Sequence, residues 1–271
     1  CDRRQRQMCI RDRLVQFFLS WIVYAVWMFA TGSTADDVLR AFGGGDAAAV
    51  TAPMLVTASA LSGAAVIALF VWRKFSVVSP TYLRTRPWGV FFWCAVVALG
   101  MLVPSLWIQE LLPDMADRSG DTLKMVLSNE YGYFVLCLLT PFVEELVFRG
   151  AVLRVLLGAF SRHWVAIAIS AAIFALVHAN PVQMPHAFLV GLLLGWMYYR
   201  TGSILPGVVV HWVNNTVAYA IYVLMPQTAD MGLVEIFGGS RNNIILSIVF
   251  SLFILLPGIY QLNSNMKPAD R

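Results

Sequence analysis

The chain is 271 residues long, 59% hydrophobic and only 13% charged, whereas ordinary soluble domains carry roughly 25% charged residues. A water-soluble fold of this length could not hide so much apolar surface, and a mean hydropathy of +0.71 points to a membrane protein. The formal charge of +4 does not indicate nucleic acid, because the basic residues follow the membrane boundaries.

A helix crossing a ~30 Å hydrocarbon core at 1.5 Å per residue needs about 17 to 25 apolar residues. In chain order the predicted spans are 14–30, 51–72, 88–108, 133–157, 164–181, 184–199, 204–224 and 243–262. The expected fold is therefore an all-α polytopic transmembrane bundle of about eight spans. Seven is the alternative, because Asn180, Pro181 and Pro185 interrupt the chain between the fifth and sixth. The segments 31–50 and 109–132 are loop-sized, so 14–262 reads as one membrane domain with a catalytic core at 133–224. Residues 1–13 (CDRRQRQMCIRDR) read as non-native sequence or a cytoplasmic basic tail, and 263–271 as a cytoplasmic tail. Span 14–30 has the length of an anchor rather than a cleavable signal peptide. The four cysteines, Cys1, Cys9, Cys94 and Cys137, form no C-x-x-C pair and imply neither a disulfide framework nor a zinc knuckle.

With the N-terminus inside, the segments 1–13, 73–87, 154–163, 200–203 and 263–271 hold 14 of the 19 Lys and Arg. The positive-inside rule then places both termini and the 73–87 loop in the cytoplasm. The compact chain suggests a bacterial cytoplasmic membrane.

One predicted span concentrates charge: Glu144, Glu145 and Arg149 lie in PFVEELVFRG, 141–150. Charge near a bilayer centre costs several kcal/mol and normally faces protein or water, so it marks function. Glu145 and Arg149 are i and i+4 and can pair along the helix, while Glu144 points ~100° away and is left as the free carboxylate. Phe174 and His178 share a helix face in FALVH, as do His211 and Asn215 in HWVNN. Counted from the inner boundaries, Glu144, His178, His211 and Asn215 lie roughly 10 to 21 Å deep, compatible with one buried layer. Taken singly, each has a structural reading: the histidines and Asn215 as interhelical hydrogen-bond donors, Glu145–Arg149 as a structural pair and Phe174 as core. Together they suit amide hydrolysis. A desolvated carboxylate can deprotonate water, an imidazole can orient that water or protonate the leaving amine, and a second imidazole with a carboxamide can stabilise the oxyanion. No Ser or Cys stands beside a His as a recognisable nucleophile.

E-E-x-x-x-R (Glu144, Glu145, Arg149), F-x-x-x-H (Phe174, His178) and H-x-x-x-N (His211, Asn215) resemble, in order, the three motifs of the CAAX protease and bacteriocin-processing (CPBP, or Abi) family. The resemblance spans roughly 133–224. It implies an intramembrane endopeptidase, related to enzymes that trim the last three residues from prenylated CAAX proteins. By that resemblance Glu144 and His178 activate the water, His211 and Asn215 form the oxyanion site, and Glu145 and Arg149, with Phe174, support them. Family members are often labelled metalloproteases, yet HExxH is absent here, and Glu144, His178 and His211 would hold Zn²⁺ only by converging. A metal-free glutamate mechanism without cofactor is the expectation, with Zn²⁺ the alternative. The expected partners are membrane lipid and a peptide or lipidated protein substrate, with no nucleic acid. A non-enzyme is the competing class: a bacteriocin immunity scaffold, or a proton-coupled transporter using Glu144 and Glu145 as a relay. The inverted repeats that favour a transporter are not evident.

Overall fold

The computed structural model describes residues 51–76, 80–112, 120–228 and 231–268. The predicted span 14–30, the 31–50 segment, the 1–13 tail and residues 269–271 lie outside the described residues. Among the described residues every regular element is a helix.

Helix α1 runs Ala52–Trp72 and α2 Trp88–Glu110, with a 3₁₀ segment, Pro80–Thr85, between them. Helix α3, Gly120–Leu127, lies inside the stretch expected to be loop. It forms because its Val126 buries against Val56 of α1 and Val135, which hydropathy over eight residues does not signal. Helix α4 is a continuous run of four stretches: Phe134–Leu139 and Phe148–Leu153 are π-helical, and Thr140–Val147 and Arg154–Ala159 are α-helical. Helices α5 (His163–Val177), α6 (Met184–Thr201) and α7 (Leu205–Leu224) follow. The chain continues through short α8, Leu233–Ile236, to α9, Arg241–Asn265.

Prolines sit in the first turns of α1, α6 and α7 (Pro53, Pro185, Pro206), where a missing N–H leaves no intrahelical bond unmade. Pro185 therefore opens α6 rather than interrupting a span. Gly202, at φ +65°, ends α6 in the left-handed region that glycine adopts without a Cβ penalty.

Among the described residues four helices are long and apolar enough to cross a membrane: Ala52–Trp72, Trp88–Glu110, Leu205–Leu224 and Arg241–Asn265. Large apolar side chains such as Phe92, Phe250, Phe253 and Tyr260 are exposed on them, as suits a lipid solvent. The expected spans 133–157, 164–181 and 184–199 coincide with helices that fall short of that criterion: α4 is divided by its π stretches, α5 is 15 residues long, and α6 carries His186 and Arg200.

Helix α6 is the centre of the packing. Its Tyr198 joins a core with Val66 and Phe70 of α1, Leu146 and Leu153 of α4, and Ile167 of α5. Its Val190, Leu194 and Met197 join Val90, Cys94 and Val97 of α2, with Val210 of α7 and Leu262 of α9. Glycines permit its approach to α5: a Cβ on Gly191 would lie 3.0 Å from the Ala171 Cβ, and one on Gly195 2.9 Å from the Ile167 Cγ2. Small residues four apart are how helices pack closely where lipid offers no hydrophobic drive.

Candidate active site

The site is built on α4. Pro141 lacks an N–H and crowds the preceding turn, and the helix widens ahead of it: the Thr140 N–H bonds the Val135 carbonyl, an i→i−5 bond. In that register the Leu136 carbonyl would look to the nitrogen of Pro141, which has no hydrogen. Asn215 of α7 takes its place, its Nδ2 donating to Leu136 O at 2.9 Å. The second π stretch is tied similarly, with Ser170 Oγ of α5 donating to Phe148 O at 3.4 Å. Between the two stretches lies the turn bearing both glutamates.

Arg149 Nη1 donates to Glu145 Oε1 at 2.7 Å. Arg149 Nη2 donates to Gly191 O at 3.3 Å, and the guanidinium carbon sits 4.4 Å from the Phe174 ring centroid. Both charged groups are buried. Glu145 Oε2 occupies space that only glycine leaves open, since a Cβ on Gly207 of α7 would lie 2.5 Å from it.

His211 faces both carboxylates. Its Nε2 is 3.6 Å from Glu144 Oε2 and its Nδ1 3.5 Å from Glu145 Oε1. Both separations exceed a good N–H···O bond, so the imidazole and Glu144 keep hydrogen-bonding capacity for a third group. The Glu144 side chain is 23% exposed, against 7% for His211 and 0% for Glu145. The separation expected between the two glutamates is thus partial: Glu145 pairs with Arg149, yet the same oxygen faces His211.

His178 caps α5. Its backbone N–H bonds Ala175 O, which frees Phe174 O to accept from His178 Nδ1 at 2.8 Å. A carbonyl can only accept, so Nδ1 carries the proton and Nε2 the lone pair. The F-x-x-x-H spacing brings the imidazole to its own helix's C-terminal carbonyl. Ala179 follows with φ +52°, a left-handed conformation costing a non-glycine residue about 1–2 kcal/mol. Phe174 joins the groups, its ring centroid 4.8 Å from that of His178 and 5.9 Å from that of His211.

The structure thus brings Glu144, Glu145, Arg149, Phe174 and His211 into one cluster, sets His178 against Phe174, and places Asn215 one turn beyond His211 against the Glu-bearing helix. Trp212 Nε1 donates to Tyr133 Oη at 3.1 Å, and Tyr133 Oη lies 3.3 Å from Thr216 Oγ1, fixing α7 to the start of α4. Among the described residues no three His, Cys, Asp or Glu side chains form a group able to hold a metal ion. Glu144, His178 and His211 do not form such a group. Sequence reasoning missed His186 on α6, which falls between His178 and His211 in the chain and whose Nδ1 lies 2.9 Å from Ser105 Oγ of α2. A third histidine between those two was the available signal.

The described residues of this integral membrane protein are all-helical and bring together carboxylates, imidazoles and a carboxamide from three helices. Residues 128–217, which hold α4 to α6 and most of α7, match the family described as type II CAAX prenyl endopeptidase Rce1-like, a match that supports assigning the chain to the CAAX protease (CPBP) family. No curated protein and no solved structure matches the chain.

Proposed function

We propose that the chain is an intramembrane endopeptidase that hydrolyses a peptide bond of a lipidated or membrane-associated protein by water activated at Glu144. The observation carrying this reading is the pairing of a part-exposed Glu144 carboxylate with the buried His211 imidazole at 3.6 Å. Glu144 takes a proton from water, His178 Nε2 orients that water, and the leaving amine recovers the proton. His211 and the second N–H of Asn215 Nδ2 stabilise the oxyanion. Glu145 and Arg149 hold the turn. The domain is taken as 14–262, its catalytic core as 133–224, and α4, α5 and α6 cross the bilayer with the four longer helices, because α6 is packed on two sides and needs little lipid-facing hydrophobicity. A bacterial cytoplasmic membrane with both termini cytoplasmic fits the charge distribution.

Reconstituted wild type and Glu144→Gln, given prenylated and unmodified peptides and read by mass spectrometry, test the reading. Glu144→Gln should lose about 10²- to 10⁴-fold in rate, the range for one general base, with an unchanged melt in detergent. A folded and active Glu144→Gln protein overturns the mechanism.

A further inference from the structure

One face of α7 meets both oxygens of Glu145. Gly207, His211 and Asn215 stand at i, i+4 and i+8 along that face. His211 Nδ1 lies 3.5 Å from Glu145 Oε1 and its Nε2 3.6 Å from Glu144 Oε2, while Asn215 Nδ2 donates to Leu136 O at 2.9 Å. Gly207, one turn before His211, meets the other oxygen of Glu145: a Cβ there would lie 2.5 Å from Oε2 and 3.2 Å from the carboxylate carbon. Non-bonded carbon contacts sit at about 3.5–4.0 Å, so a methyl at 207 forces a displacement. The carboxylate is poorly placed to yield. Arg149 Nη1 holds its Oε1 at 2.7 Å, and that guanidinium is itself fixed by Gly191 O at 3.3 Å and by the Phe174 ring at 4.4 Å. The start of α7 must therefore back away from α4, carrying His211 with it. Gly207 is also the third residue of α7, which sets Oε2 at the positive end of the helix dipole, where negative charge is favoured.

We infer that Gly207 is a positioning residue: by leaving room for the Glu145 carboxylate it sets how near α7 comes to α4, and so holds His211 against both glutamates. The inference rests on the hydrolase reading for its effect on rate, while the placement of His211 stands apart from it. Gly207 touches no reacting atom and acts through Glu145 and His211.

The test uses the full chain reconstituted in nanodiscs. Gly207→Ala should lower kcat about 10- to 100-fold, the scale of a misplacement of about 1 Å, with KM within about twofold. Gly158→Ala, where the methyl would meet no atom within 4 Å, should keep the wild-type rate. Glu145→Asp withdraws the carboxylate by one methylene, so in that background the further loss from Gly207→Ala should shrink to about twofold or less. Ring-¹⁵N NMR, with His211 assigned by its loss in His211→Gln, should show the His211 resonances moving in Gly207→Ala and unmoved in Gly158→Ala. Any of four results overturns the inference: a Gly207→Ala variant with wild-type kcat, equal losses in Gly207→Ala and Gly158→Ala, a loss that persists undiminished in Glu145→Asp, or an unmoved His211 ring. Should Gly207→Ala fail to fold, Glu145→Asp decides alone: it should move the backbone amide resonance of Gly207, and an unmoved resonance overturns the contact. A wild type that cleaves no peptide, while Gly207→Ala still moves the His211 ring, refutes the hydrolase reading and upholds the role of Gly207.

Discussion

Glu144 and Glu145 are neighbours in sequence with opposite surroundings. Glu145 is fully enclosed, bonded to Arg149 and pressed against Gly207, whereas Glu144 reaches a partly open space beside His211. A buried ion pair adds little net stability, but removing one partner strands the other charge at a cost of about 3–5 kcal/mol. Glu145→Gln should therefore destabilise the fold by about that much, read as a lowered melting temperature in detergent, while Glu144→Gln melts like wild type. Equal melts for the two variants would remove the structural assignment of Glu145. This asymmetry is legible in the sequence, since an i,i+4 Glu–Arg pair on one helix requires no knowledge of its neighbours. What the spacing could not reveal is His211 turning a nitrogen to each glutamate, a contact that depends on how α7 docks.

At the scale of elements, hydropathy places the helices well. The predicted spans 51–72 and 204–224 begin one residue before helices Ala52–Trp72 and Leu205–Leu224, because lipid selects for unbroken apolar length. Close packing between helices leaves a fainter trace. Gly191 and Gly195, the ends of GLLLG, are simply apolar in a hydropathy count, yet they decide how near α5 comes. Gly191→Ala would put a methyl 3.1 Å from the Ala171 Cα, a backbone atom that cannot rotate aside. Overpacking of this kind typically costs about 1–3 kcal/mol. It should also loosen the Arg149 bond to Gly191 O, so thermal stability and peptidase rate should fall together. A variant with the wild-type melting temperature would show that α5 and α6 have room to part.

For the whole molecule, the reading is one of orientation. The proposed orientation, drawn from the basic residues of the 73–87 segment, puts that segment on the cytoplasmic face and the α8 region outside. Cys94 and Cys137 are buried, so with Cys1 and Cys9 changed to Ser the background for thiol labelling is low. A membrane-impermeant maleimide applied to intact cells should label Glu235→Cys and spare Arg84→Cys; the reverse pattern inverts the topology. Both native side chains are exposed.

The two π stretches of α4 act as phase shifts in an otherwise regular screw. Rewound as regular α-helix with the same residues, Phe134–Leu139 would turn everything before it by ~100° relative to the glutamates, taking the Tyr133 hydroxyl away from Trp212 and the Leu136 carbonyl away from Asn215. Such a rewinding would leave composition and hydropathy untouched while dismantling the latch between α4 and α7. Two chains of the same hydropathy can therefore differ in this one turn and yet present unrelated faces to α7.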